Sequence, residues 1–434
     1  MLDLISANLL ALLLNWFGIS SVKLEPIQPL AWQNRAIFEL PQRDRDPIME
    51  RVIQDYLQDL TKGGIDPQQQ GIWIESDWVK PAGSRETVPI SAASLTKIAT
   101  TLAALGKLGA DYQFETKIYI RGEVNNGIVS GDLIIEGSGD PFFVWEEAIA
   151  LGNTLNQLGI RQIQGNLLVT DKFYMNYNSN AVTAAKLLKQ ALNRQLWGRE
   201  VTMQYLTLPK TTPRPQVIID RETKLISQIP ADAKLLFVHQ SLPLAEILRQ
   251  MNIYSNNKMA QMLADLVGGA SEVAAYTAHI TQVSPKEIQL INGSGLGEEN
   301  RLSPRAVCKM LMEIERLLQS YTIKVTDLFP VAGRDSLGTI QDRQLPLGTT
   351  IKTGTLDRVS ALAGVIDTSD RGQVWFAIVN NGRQINYFRN QQDRLLQNLA
   401  QNWQLHPQNF NNSDRPTWYL GDPNRNIKRL KAEG

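Results

Sequence analysis

The chain has a single cysteine, Cys308, in 434 residues, which excludes a scaffold built on disulfides. Its setting, Val307-Cys-Lys-Met-Leu-Met312, repeats apolar residues at helical spacing and suits a buried, unreactive thiol. Histidine is nearly as scarce. The three copies, His239, His279 and His406, stand far apart with no H-E-x-x-H among them, which argues against a metallohydrolase and leaves them structural or exposed. No residue pattern asks for a metal or a cofactor. Charge is almost balanced, 44 Lys and Arg against 43 Asp and Glu, so there is no general pull toward nucleic acid or anionic lipid.

Apolar runs long enough to span a membrane are missing too. The first residues carry Leu9-Leu-Ala-Leu-Leu-Leu14 with Trp16 and Phe17, the length of a signal-peptide core and short for a span. Its flanks are atypical: no Lys or Arg precedes it, Asp3 stands where positive charge belongs, and no clean A-x-A follows. Export by an atypical signal within residues 1–20 is favoured over an uncleaved anchor or a misassigned start. That reading places the chain in a periplasm or otherwise outside the cytoplasm, and the same run is the one route to a weak membrane association.

Against these absences stand three short motifs in a fixed order: Ser94-Leu-Thr-Lys97, Ser255-Asn-Asn257 and Lys352-Thr-Gly354. Together they read as a serine acyl-transfer site that needs no histidine. None is informative alone. S-x-x-K should occur roughly once by chance in a chain of this length, a second copy runs from Ser20 to Lys23, and a stray S-x-N runs from Ser6 to Asn8. Order, spacing and setting lift the set above coincidence, with Lys-Thr-Gly occurring once, inside a strand-like run.

The rest of the chain, 43% hydrophobic and 20% charged, has ordinary globular composition and reads as three blocks and a tail. The first block has helical spacing from Asp46 to Leu60, a strand run Gly71-Ile-Trp-Ile-Glu75, and a stretch from Ser94 to Leu108 that is apolar on most faces and so belongs inside a domain. The middle block, about Tyr112 to Ala233, alternates in Thr116 to Ile120 and Asp132 to Glu136, has turn signals at Asn125-Asn-Gly127 and Gly137-Ser-Gly-Asp-Pro141, and has helical stretches at Glu146 to Leu158 and Ala184 to Leu196. It reads as a small α/β insertion. The third block has helices at Leu242 to Asn252, Lys258 to Val267 and Ser303 to Leu318, strand runs at Thr349 to Leu356, Val359 to Ile366 and Gln373 to Asn380, and a helix at Gln391 to Trp403. Consecutive strands at hairpin spacing imply an antiparallel sheet. The tail after His406, rich in Asn, Pro and Arg, predicts an extended or mobile segment.

Placed on this outline, Ser94 and Lys97 lie one helical turn apart on the same face. A serine hydroxyl needs a base beside it, and lysine serves only when neutral. Burial in an apolar helix lowers its pKa, and a second cation, Lys352, would lower it further. A Ser94 N–H at a helix start is free for an oxyanion. Ser255 and Asn257 fall between two helices, where the hydroxyl can pass a proton to a leaving amine and the carboxamide can hold a substrate amide. On a strand, Lys352 and Gly354 share one face and Thr353 and Thr355 the other. Gly354 would admit a substrate backbone, Lys352 would face a carboxylate, and the Thr355 N–H would complete the oxyanion hole. Taken singly these residues read as caps and solvated charges; a lysine in the first turn of an otherwise apolar helix does not.

With these motifs the chain resembles the low-molecular-mass class C penicillin-binding proteins, serine D-alanyl-D-alanine carboxypeptidases and endopeptidases of peptidoglycan. The resemblance extends to Leu108-Gly-Ala-Asp-Tyr-Gln-Phe-Glu-Thr116, Gly131-Asp-Leu, Gly137 to Pro141, His239-Gln-Ser-Leu-Pro-Leu244, Asn292-Gly-Ser-Gly-Leu296, Asn300-Arg-Leu-Ser-Pro304 and Pro330-Val-Ala-Gly-Arg-Asp335. It implies an α+β transpeptidase or β-lactamase-like domain, an antiparallel sheet between helices, made of residues 40–111 and 234–404, with residues 112–233 inserted and 405–434 as tail. It also implies Ser94 as nucleophile, Lys97 as base, Ser255 as proton relay, Asn257 as amide binder, and Lys352, Thr353, Gly354 and Thr355 as carboxylate and oxyanion contacts. The partners it implies are peptidoglycan stem peptides, and β-lactams as covalent inhibitors. Two features depart from the family pattern. The interval from Ser94 to Ser255, 255 − 94 = 161 residues, is short for two full inserted domains, and Asn292 stands where an aspartate is expected. A β-lactamase shares the triplets, but no E-x-x-L-N lies between Asn257 and Lys352 to serve deacylation. A silent wall-binding scaffold is the other alternative, and the intact Ser94, Lys97, Ser255 and Lys352 argue against it.

Overall fold

The computed structural model describes residues 44–76, 78–406 and 418–428; the apolar run at 9–14 lies outside them. The late strand runs form one side of a five-stranded antiparallel sheet, in the order Thr350–Leu356, Val359–Thr368, Gly372–Asn381, Gly71–Ser76 and Ala82–Ser84. Period-two alternation sends Ala361, Ala363 and Val365 to one face and Leu362 and Ile366 to the other. The next strand splits the same way, Trp375, Ala377 and Val379 against Val374, Phe376 and Ile378. Both faces are covered by helices, which is why these strands read as almost unbroken apolar runs.

On the first face lies Thr96–Leu108, buried without interruption from Thr96 to Leu105 and ringed by Leu244–Ile253, Asn257–Leu266, Gly269–Thr281 and Pro304–Leu318. On the second face lie Pro47–Lys62 and Ile385–Asn402. Pro47–Lys62 starts where Asp46 caps it, with Asp46 Oδ1 accepting from the N–H groups of Ile48 and Met49 at 2.8 and 3.1 Å. The helix Gly269–Thr281 has no counterpart in the sequence reading, and Ile385–Asn402 begins six residues before the expected Gln391, 391 − 385 = 6.

The chain between residues 115 and 240 builds most of a second sheet, ordered Thr223–Leu225, Leu167–Val169, Asp132–Glu136, Glu115–Arg121, Lys234–Gln240 and Asn426–Lys428. Helices Trp145–Gln157 and Ala181–Leu192 cover it with a core of their own, in which Leu133, Ile135, Ile149 and Leu188 are fully buried. The last strand comes from the tail. Residues 418–428 dock instead of running free, because their polar groups meet buried partners. The Arg425 guanidinium pairs with Glu147, both nearly inaccessible to water, and donates to the Gln240 carbonyl at 2.9 Å. Asn426 joins His239 Nδ1 to Thr154 Oγ1, each at 2.8 Å, while its backbone extends the sheet beside His239. Burial holds His239 neutral, its pKa pushed down to about 3. Arg425→Ala would strand the Glu147 carboxylate and should cost about 3–5 kcal/mol in urea unfolding; unchanged stability would show the tail contact to be dispensable.

Candidate active site

Ser94 is carried by a strained turn. Ala93 sits in the left-handed region at φ +47°, which costs a non-glycine residue roughly 1–2 kcal/mol, and a 3-10 turn over Ala93–Leu95 then feeds the helix Thr96–Leu108. Backbone bonding begins with the Leu95 N–H on the Ala92 carbonyl, so the Ser94 N–H precedes it. Two glycines from distant motifs allow the turn to seat. A Cβ on Gly295 would come within 1.8 Å of the Ala93 oxygen, and one on Gly354 within 2.8 Å of the Ala92 oxygen. The neighbour for which Gly354 makes room is therefore this turn, where the sequence suggested a substrate backbone.

Lys97 is fully buried, and its Nζ lies 2.8 Å from Ser94 Oγ, 2.7 Å from the Ser294 carbonyl oxygen and 2.7 Å from Asn257 Oδ1. Ser294 and Asn257 offer acceptors only. They take two N–H groups, and a neutral amine then has one lone pair left, aimed at the serine hydroxyl. Burial lowers the Lys97 pKa to about 7, so that neutral form is accessible.

Ser255 occupies the short connection between Leu244–Ile253 and Asn257–Leu266, itself left-handed at φ +52°. The next residue, Asn256, caps the following helix by accepting from the N–H groups of Lys258 and Met259. Lys352 Nζ, also fully buried, donates to Ser255 Oγ at 3.0 Å and to the Thr353 carbonyl at 2.9 Å. Its pKa is held well below the lysine range, first by burial and then by Lys97. Two ammonium groups this deep repel, which disfavours both being charged at once. All three triplets thus converge on one cleft. Thr353 is buried and Thr355 exposed on the terminal strand of the sheet, where Thr355 Oγ1 accepts from Arg389 Nη2 at 3.1 Å.

Sequence reasoning missed the Ser294 carbonyl, a backbone group with no side-chain signature. The segment that aims it was visible in Asn292-Gly-Ser-Gly. Asn292 Oδ1 accepts from Ser294 N, Ser294 Oγ and Gly295 N at 3.1, 3.0 and 2.8 Å, and Nδ2 donates to the Leu296 carbonyl at 2.6 Å. Asparagine therefore fills the expected aspartate's place with one donor more.

A buried lysine on a serine hydroxyl, opposite a second serine and lysine pair, is the geometry of a serine acyl-transfer enzyme, set in an α+β fold of the penicillin-binding kind. The D-Ala-D-Ala carboxypeptidase 3 (S13) family model matches residues 79–185 and 219–402, and the chain belongs to that family. A D-alanyl-D-alanine carboxypeptidase of Haemophilus influenzae is 23% identical, over 67% of this chain and 80% of the relative. Among solved structures, a predatory endopeptidase of Bdellovibrio bacteriovorus with its immunity protein superposes with a TM-score of 0.70 at 22% identity, covering 82% of this chain and 98% of that one. Penicillin-binding protein 4 of Haemophilus influenzae gives a TM-score of 0.57 at 20% identity, covering 80% and 98%.

Proposed function

We propose that this serine D-Ala-D-Ala peptidase works through an acyl-Ser94 intermediate. Lys97 takes the hydroxyl proton as Ser94 Oγ attacks the carbonyl of the D-Ala-D-Ala bond, and the oxyanion rests on the N–H groups of Ser94 and Thr355. Ser255, backed by Lys352, hands a proton to the leaving amine as the C–N bond breaks, and water then releases the acyl group. Asn257, its oxygen engaged by Lys97, offers Nδ2 to a substrate carbonyl. The observation that carries this reading is the buried Lys97 Nζ at 2.8 Å from Ser94 Oγ, with its other donors consumed. In this reading residues 44–111 and 241–404 make up the transpeptidase-like part and 112–240 its insertion; the sequence pattern puts the return at residue 234, and Lys234–Gln240 is counted with the insertion because it is a strand of that second sheet. The substrate is the D-Ala terminus of peptidoglycan stem peptides, or the cross-link made from it, outside the cytoplasm.

β-Lactams acylate the same hydroxyl in this scheme; a Bdellovibrio bacteriovorus endopeptidase of like fold has been solved acylated by penicillin G. No carboxylate belongs to the hydrogen-bonding set of Ser94, Lys97, Ser255 and Lys352 among the described residues, which supports slow deacylation. Intact-protein mass spectrometry after incubation with penicillin should show one long-lived adduct, mapping to the peptide that holds Ser94, together with D-Ala release from a D-Ala-D-Ala peptide. Drug loss without an adduct would mark a β-lactamase, and neither adduct nor turnover a silent scaffold.

A further inference from the structure

We infer that Arg389 anchors the free carboxylate at the end of the substrate and so sets the preference for peptides ending in D-Ala. The sequence offered Lys352 for that task. In the structure Lys352 is fully buried behind Ser255, with its Nζ committed to Ser255 Oγ and the Thr353 carbonyl. A carboxylate one residue beyond the scissile bond lies within roughly 3.8 Å of backbone span from it. With the Thr355 N–H in the oxyanion hole, that distance leads to the side chain of Thr355 at the terminal strand of the sheet.

There Arg389, from helix Ile385–Asn402, is the only cation bonded to the threonine among the described residues, its Nη2 donating to Thr355 Oγ1 at 3.1 Å. By accepting that bond, Thr355 keeps its own O–H to donate. Arg389 pairs with no carboxylate among the described residues, whereas its neighbours are occupied: Arg394 lies 3.6 Å from Asp59, and Arg343 lies 2.6 Å from Asp393. Arg389, Thr353, Thr355 and Thr339 line a cavity of about 140 Å³. Thr339 borders this cavity, and its buried Oγ1 has no hydrogen-bond partner among the described residues. Asp342 also borders the cavity but is exposed and makes no ion pair with Arg389. An unpaired guanidinium, a hydroxyl free to donate and an orphaned hydroxyl make a fitting set for one carboxylate.

This assignment rests on Ser94 as the nucleophile, so both are read on the same preparations. The full chain is assayed for D-Ala or D-Ala-amide release from a peptide ending in D-Ala-D-Ala, as the free acid and as its C-terminal carboxamide. The wild type should prefer the acid. Arg389→Gln should lower kcat/KM for the acid roughly 10–100-fold while moving the amide less than about threefold, and Arg389→Lys should recover part of the loss. An unchanged ratio overturns the assignment, and so does an equal fall for both peptides, which would make Arg389 structural. If Arg389→Gln does not fold, Arg389→Lys and Thr339→Val are read by the same ratio. A penicillin adduct on wild-type Ser94 alongside an unchanged ratio defeats only the Arg389 assignment; no adduct on the wild type defeats the Ser94 reading and this one with it.

Discussion

Ser94→Ala should leave a folded protein that takes up no penicillin and releases D-Ala roughly 10⁵–10⁶-fold more slowly, the scale of loss when a covalent nucleophile is removed. Folding should survive, because the turn that carries Ser94 is held by Ala92, Ala93 and the glycines packed on them, not by the hydroxyl. Circular dichroism melting checks the fold and mass spectrometry the adduct. An adduct of normal yield on Ser94→Ala would move the nucleophile to Ser255, the other hydroxyl in the cleft held by a buried lysine.

Lys97→Met should cost acylation about 10²–10⁴-fold, the usual contribution of a positioned base, and should reveal what burying the lysine costs. In the wild type the acylation kcat/KM should climb about tenfold per pH unit below the Lys97 pKa of about 7 and level off above it, because only the neutral amine accepts the serine proton. The stability effect has the opposite sense. An unfolded lysine keeps its proton to about pH 10.4, so protonation favours the unfolded chain, most strongly at and below pH 7, and the penalty fades as pH rises toward 10.4. Methionine removes that penalty and also loses the bonds to Ser294 and Asn257. The net should be a gain of roughly 1–3 kcal/mol at neutral pH, shrinking above it. A variant that is both inactive and less stable at pH 6 than at pH 9, relative to wild type, would contradict the buried-base account.

The parts legible in the sequence are those that side-chain pattern encodes. Val359–Thr368 and Gly372–Asn381 announced themselves because all but a few positions near their ends are buried, and the triplets because their chemistry needs particular side chains at fixed spacing. The helix Gly269–Thr281 escaped notice because it opens on Gly268 and Gly269, is rich in alanine, and buries only Val273, Thr277 and Ala278. The Ser294 carbonyl, the left-handed Ala93 and the seat under Gly354 are backbone facts. They arise from packing between motifs about 200 and 260 residues apart, which no local pattern records. The strand Asn426–Lys428 is three residues long, and its partner His239 lies 187 residues earlier in the chain.

That last strand is the closing piece of the second sheet. With residues 45–406 folded but 418–428 not yet docked, everything that lines the cleft is in place, yet Lys234–Gln240 is an open sheet edge and Glu147 lacks its arginine. Unpaired edges invite strand pairing with other molecules. The folding chain is therefore open to pairing with other molecules at a stage when its chemistry is already complete, and the docking of residues 418–428 ends that exposure by closing the edge.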